Sequence, residues 1–158
     1  MLKLDMKLIV PRFVTDKARK EAKRCFPKEL YMDLAGVVDK KTNTTTITGY
    51  LIPSDLDKHN SKTQVNLQHS WEKEAIEYAK SINAEYVGSC HSHPYAMASS
   101  NGITARTKDC SPSEGDWQSE VMDRFSGILV ICEDEKGKLT TRIRFYPPTT
   151  DLITYFKK

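Results

Sequence analysis

Long apolar runs are missing from this chain of 158 residues. No stretch approaches the roughly 20 consecutive apolar residues that a membrane-crossing helix needs. At the N-terminus Leu2, Leu4, Met6 and Leu8 alternate with Lys3, Asp5 and Lys7. That is the period of a strand, whereas a signal peptide shows an unbroken apolar block and a small-residue cleavage site. The expectation is a soluble, cytoplasmic protein with no targeting segment and no membrane partner. Charge of one sign is equally scarce. The 24 basic and 21 acidic residues leave a formal charge of +3, too little to imply a nucleic-acid partner. The densest basic stretch, Lys17, Arg19, Lys20, Lys23 and Arg24, is interrupted by Glu21 and follows a helical pattern, so a solvated helix face accounts for it. Cysteine is sparse and scattered: Cys25, Cys90, Cys110 and Cys132 contain no Cys-x-x-Cys pair and read as free thiols. Internal repeats and linker-like segments are absent too.

The composition that remains is ordinary for a globular protein, with 39% hydrophobic and 28% charged residues. This excludes a disordered, collagen-like or coiled-coil chain. The length suggests one domain over residues 1–158. A domain of this size buries roughly 70% of the surface exposed by its unfolded chain and needs no disulfide to fold.

Periodicity orders the elements. Lys3–Val10 reads as a strand ended by Pro11. Thr15 is placed to cap a helix with Ala18, Ala22, Cys25 and Phe26 on its apolar face, closed by Pro27. Leu30, Met32, Leu34, Gly36 and Val38 alternate as a second strand. Residues 40–43 have turn composition, and the Thr-rich segment 44–52 returns as a third strand. Residues 53–70 are polar and irregular. Trp71, Ala75, Tyr78, Ala79 and Ile82 form one face of a second helix, and Ala84–Ser92 reads as a buried strand stopped by Pro94. Residues 95–112 form a long loop without periodicity, of the kind that usually carries function. Ser113 then opens a third helix with Trp117, Val121 and Phe125 inward. Gly127–Cys132 is a core strand, Thr141, Ile143 and Phe145 alternate in another, and Asp151–Phe156 fits helix or strand. This order predicts an α/β fold in which a mixed sheet is sandwiched by helices.

Three segments carry chemistry. In Cys90-His91-Ser92-His93-Pro94 the two histidines stand at i and i+2 of a strand, so both project from one face and can grip one metal ion. In Ser113-Glu114-Gly115-Asp116 a helix start holds Asp116 rigidly, with the Ser113 hydroxyl beside it. Glu29 opens the second strand. Taken singly, each has a bland reading: two structural histidines, a capping box and a solvated boundary charge.

Taken together, Glu29, His91-Ser92-His93-Pro94 and Ser113-x-x-Asp116 resemble the motif of the JAB/MPN metalloprotease family, also called the JAMM family. Pro27, Glu29, Met32, Leu34 and Gly36 also follow that family's spacing around its glutamate, with Met32 where glycine is usual. Tyr86-Val87-Gly88 matches its approach to the histidines. The resemblance spans roughly residues 25–132. The eighteen residues between Pro94 and Ser113 exceed the family's usual spacing, and the added length is expected to lie beside the cleft and shape substrate choice.

The resemblance implies a JAB/MPN fold of the cytidine-deaminase-like α/β/α type. It implies one zinc ion per chain held by His91, His93 and Asp116, with Glu29 as general base and Ser113 as hydrogen-bond donor to the oxyanion. Two imidazoles and a carboxylate leave a fourth zinc position open. Water there has its pKa lowered from about 15.7 to about 7. The implied activity is hydrolysis of a peptide or isopeptide bond, with a ubiquitin-like protein or its conjugate as substrate. A peptidoglycan endopeptidase or small-molecule amidase, and a non-catalytic scaffold, are the alternatives. Nucleobase deamination is excluded, because that chemistry requires His-x-Glu with Pro-Cys-x-x-Cys, and the chain has neither. Cys90 is expected to be a buried thiol on the strand face away from the histidines. Cys110 reads as a loop thiol or, less simply, an inhibitory fourth ligand.

Overall fold

The computed structural model describes residues 5–96, 110, 125–146 and 152–158. Its elements are β1 (Met6–Val10), α1 (Arg12–Cys25), β2 (Tyr31–Asp39), β3 (Thr44–Leu51), a 3-10 turn (Leu56–Lys58), α2 (His69–Ser81), β4 (Glu85–Tyr95), β5 (Phe125–Glu133), β6 (Leu139–Tyr146) and β7 (Leu152–Phe156). The seven strands form one mixed sheet in the order β6-β5-β4-β2-β3-β1-β7. Within it β1 runs parallel to β3 and β7, β4 parallel to β5, and the remaining neighbours are antiparallel.

This architecture overturns the expected helix-sandwiched α/β/α fold of the JAB/MPN type. The sheet is nearly closed and barrel-like, and the described residues hold only two α-helices. Two features explain the difference. The ambiguous segment Asp151–Phe156 supplies a strand, β7, which pairs with β1 residue by residue from Met6↔Leu152 to Val10↔Phe156. The sheet then curls until its two edge strands approach, with the Phe145 ring of β6 and the Phe156 ring of β7 at 6.1 Å between centroids. Phe125, expected on the inner face of a third helix, instead opens β5. The rest of that expected helix, Ser113 to Arg124, lies outside the described residues, as does most of the 95–112 loop.

The sheet's core side is built from one parity of each strand. Leu30, Met32 and Leu34 of β2 and its approach, Cys90 of β4, and Leu129 and Ile131 of β5 are buried with Val14, Ala18, Ala22 and Cys25 of α1. The helix starts earlier than expected. Pro11, with φ at −65°, occupies the N-cap position, and Thr15 lies inside the helix, donating to the Arg12 carbonyl at 3.1 Å. Proline's fixed φ suits a helix start, where its missing N–H costs nothing. Val14 thereby joins the apolar stripe. All eight residues from Phe125 to Cys132 are buried, as expected for a strand covered on both faces.

Glu21 is the charged exception on the inner side of α1. Lys17 lies 3.3 Å from it and Arg24 donates to it at 2.5 Å. The Arg24 hydrogen bond, with Lys17 in support, holds its carboxyl below the ordinary glutamate range. A depressed folded-state pKa stabilises above the unfolded value and loses that stabilisation as pH falls through the folded value. Glu21→Gln should therefore flatten the acid limb of the stability–pH curve below about pH 4.5, measured as the urea midpoint at successive pH values.

Gly88 is fixed by crowding. It lies beside the register shift between β2 and β4 and pairs with Phe125 of β5. A Cβ at Gly88 would collide with the Phe125 carbonyl oxygen, which is backbone and cannot step aside. Gly88→Ala should cost at least about 2 kcal/mol in urea unfolding, the scale of overpacking penalties.

Candidate metal centre

Pro94 does not end β4. The strand runs on to Tyr95, and its far end keeps β5 as a neighbour through His93↔Val130, Pro94↔Ile131 and Tyr95↔Cys132. β2 pairs with β4 only as far as Tyr31↔His91. Ser92 N–H, two residues before Pro94 and of the same parity, donates toward Leu30 on the β2 side. At Pro94 the missing N–H would point to that same side, where the β2 ladder has finished, so proline is tolerated there.

Ser92 joins β4 to the start of β2 by two bonds. Its N–H donates to the Leu30 carbonyl at 3.0 Å, and its Oγ accepts the Leu30 N–H at 2.7 Å. On the other side of the neighbouring residue, Glu29 N–H donates to the Ser61 carbonyl at 2.7 Å. The Glu29 carbonyl accepts from Asn60 Nδ2, also at 2.7 Å. The backbone carrying Glu29 is thus held from two directions, and Glu29 itself is 7% exposed.

The strand pleat puts His91 and His93 on one face. His91 is buried, His93 is half-buried, and their Nε2 atoms stand 3.1 Å apart with ring centroids at 5.0 Å. Two nitrogens ligating one tetrahedral zinc at 2.0–2.1 Å stand roughly 3.3 Å apart. The observed separation matches that bite and equally matches one imidazole N–H donating to the other ring. His93 and Glu29 line the same cleft of about 470 Å3, together with Pro27, Lys62, Pro94 and Tyr95. The structure therefore brings Glu29, His91 and His93 into one neighbourhood. Ser113 and Asp116, the other two residues singled out in the sequence, lie outside the described residues. Among the described residues no group of three or more His, Cys, Asp or Glu side chains converges as a ligand set.

Two of the cysteines have defined surroundings. Cys90 is 1% exposed in the main core, and burial pushes its thiol up to about 12, so it is neutral at physiological pH. Cys110 packs with Val130, Cys132 and Tyr95, and its Sγ donates to the Arg142 carbonyl of β6 at 3.6 Å. Sequence reasoning missed the holders of the site, Ser92, Asn60 and Ser61. Ser92 was visible between the two histidines, but its role depends on the β2–β4 pairing.

No family model matches the sequence, and no curated protein matches it. Among solved structures the chain is similar to the solution structure of protein DSY2949 from Desulfitobacterium hafniense, with a TM-score of 0.60 at 16% identity over 95% of this chain and 94% of that one. At that identity the likeness speaks for the fold alone.

Proposed function

We propose that the protein is a zinc-dependent hydrolase of amide bonds, acting on a peptide or isopeptide bond. The observation that carries this reading is the pair of Nε2 atoms 3.1 Å apart beside a cleft that Glu29 and His93 share. The residue types fit the group: imidazole nitrogens suit zinc, and a carboxylate close by suits proton transfer. Bound zinc would supply an acidified water and a Lewis acid for the scissile carbonyl.

His91 and His93 would hold the ion, with Asp116 as the third ligand that the motif implies. Glu29, kept in place by Asn60, Ser61 and the Ser92–Leu30 link, takes a proton from the attacking water and delivers it to the leaving amine. Proton transfer of this kind contributes roughly 10²–10⁴ in rate. The Ser113 hydroxyl, again by the motif, donates to the developing oxyanion. The substrate class that accompanies the motif is a ubiquitin-like protein or its conjugate. A reducing cytoplasm is the compartment that suits four buried free thiols.

Elemental analysis of protein purified without chelator should find about one zinc per chain, with His91→Ala and His93→Ala each losing it. A metal-free wild type with the imidazoles in direct contact would assign the 3.1 Å separation to a shared proton instead. Glu29→Gln should retain zinc and lower turnover by at least about 100-fold. Turnover is read on a panel of ubiquitin-like fusions, isopeptide conjugates and cell-wall peptides, with and without chelator. Undiminished cleavage by Glu29→Gln removes Glu29 from the mechanism.

A further inference from the structure

A second cavity, of about 440 Å3, opens beside the start of α2 and has a different chemistry from the histidine cleft. Its lining includes three aromatic rings, Tyr31, Trp71 and Tyr86, and two carboxylates, Asp33 and Glu72. The lining holds one imidazole, His69, and no lysine or arginine among the described residues. Tyr31 and Trp71 stack with centroids 5.7 Å apart and planes at 22°. Asp33 is 4% exposed and accepts the Tyr31 hydroxyl at 2.8 Å. Burial first, then the Asp33 charge and Tyr86, push the Tyr31 phenol far above its ordinary value. The phenol therefore stays protonated and donates to the Asp33 carboxyl group. Glu72 stands in the first turn of α2.

Each candidate ligand meets this lining differently. An anion faces two carboxylates and, among the described residues, no lysine or arginine. A neutral apolar group would fill the aromatic wall but gain nothing from a buried acid. A cation gains twice, because aromatic faces carry negative charge density and a carboxylate shielded from solvent is weakly screened. The volume is within the range of small-molecule sites. We infer that this cavity binds an organic cation, an alkylammonium or quaternary ammonium group, seated against Tyr31, Trp71 and Tyr86 and countered by Asp33 and Glu72. Tyr31 pairs directly with His91 across β2 and β4, so the cavity shares a sheet face with the candidate metal centre, but the binding requires no metal.

The test is a titration of the full chain with choline and with its neutral isostere 3,3-dimethylbutan-1-ol, following the Trp71 indole N–H resonance. Chelator is present throughout, so the outcome is independent of the zinc reading. Choline should shift the resonance saturably and bind at least about tenfold more tightly than the alcohol, the preference expected of a desolvated cation–π contact. Glu72→Gln should weaken choline and leave the alcohol unchanged, and Asp33→Asn should reduce the preference. Equal affinity for the two probes, or no saturable shift with choline, overturns the inference. So does a preference that is undiminished in folded Asp33→Asn. Should Asp33→Asn fail to fold, the wild-type comparison and Glu72→Gln still decide.

Discussion

The link between Ser92 and Leu30 ties together the two strands that carry the candidate residues of the histidine cleft. β2 and β4 are antiparallel neighbours far apart along the chain, and their ladder ends at Tyr31↔His91. Two further bonds, 2.7 and 3.0 Å, carry the connection one step beyond that end. A buried hydrogen bond contributes about 0.5–1.5 kcal/mol net, and an orphaned partner costs more than that. The energetic value is modest, but the geometric value is large. Leu30 is next to Glu29, and Ser92 is flanked by His91 and His93, so one contact relates the three candidate residues to each other.

The sheet divides its labour by pleat. One parity, with Leu30, Met32, Leu34, Cys90, Leu129 and Ile131, is apolar and buried in the cluster that includes α1. The other parity carries Glu29, Tyr31 and Asp33 on the β2 side and Ser89, His91 and His93 on β4. Side chains at i and i+2 share a face, and cross-strand partners do too. Glu29, Tyr31, Asp33, His91 and His93 therefore share one surface, while Ser92, of the Cys90 parity, has its hydroxyl satisfied by the Leu30 N–H. The same alternation separates the two sulfur environments, Cys90 in the apolar core and Cys110 with Cys132 in a small separate cluster.

Most strands were legible because their signals are local. The Thr-rich β3, the apolar β5 and the alternating β6 follow from side-chain period alone, and the neighbouring histidines follow from i and i+2 geometry. What was not legible depends on closure. Asp151–Phe156 is short and carries no decisive pattern; β1's open edge makes it a strand. The curl that brings Phe145 to Phe156 is a property of the whole sheet, so an open, helix-covered architecture fitted the element order just as well. Likewise the Tyr31, Asp33, Trp71 and Tyr86 cavity unites residues from β2, α2 and β4 that share no motif.

The pairing of β7 with β1 also governs the order in which the fold can be completed. Met6 meets Leu152 and Val10 meets Phe156, so the first described strand obtains its second neighbour from the last. Contacts this distant along a chain are slow to form, because loop-closure entropy is lost before any contact compensates for it. During synthesis the central strands can associate as they emerge, whereas one edge of β1 stays bare until the ribosome has released residue 156. For that interval the nascent chain presents an unsatisfied strand edge, the feature most prone to pairing with other chains.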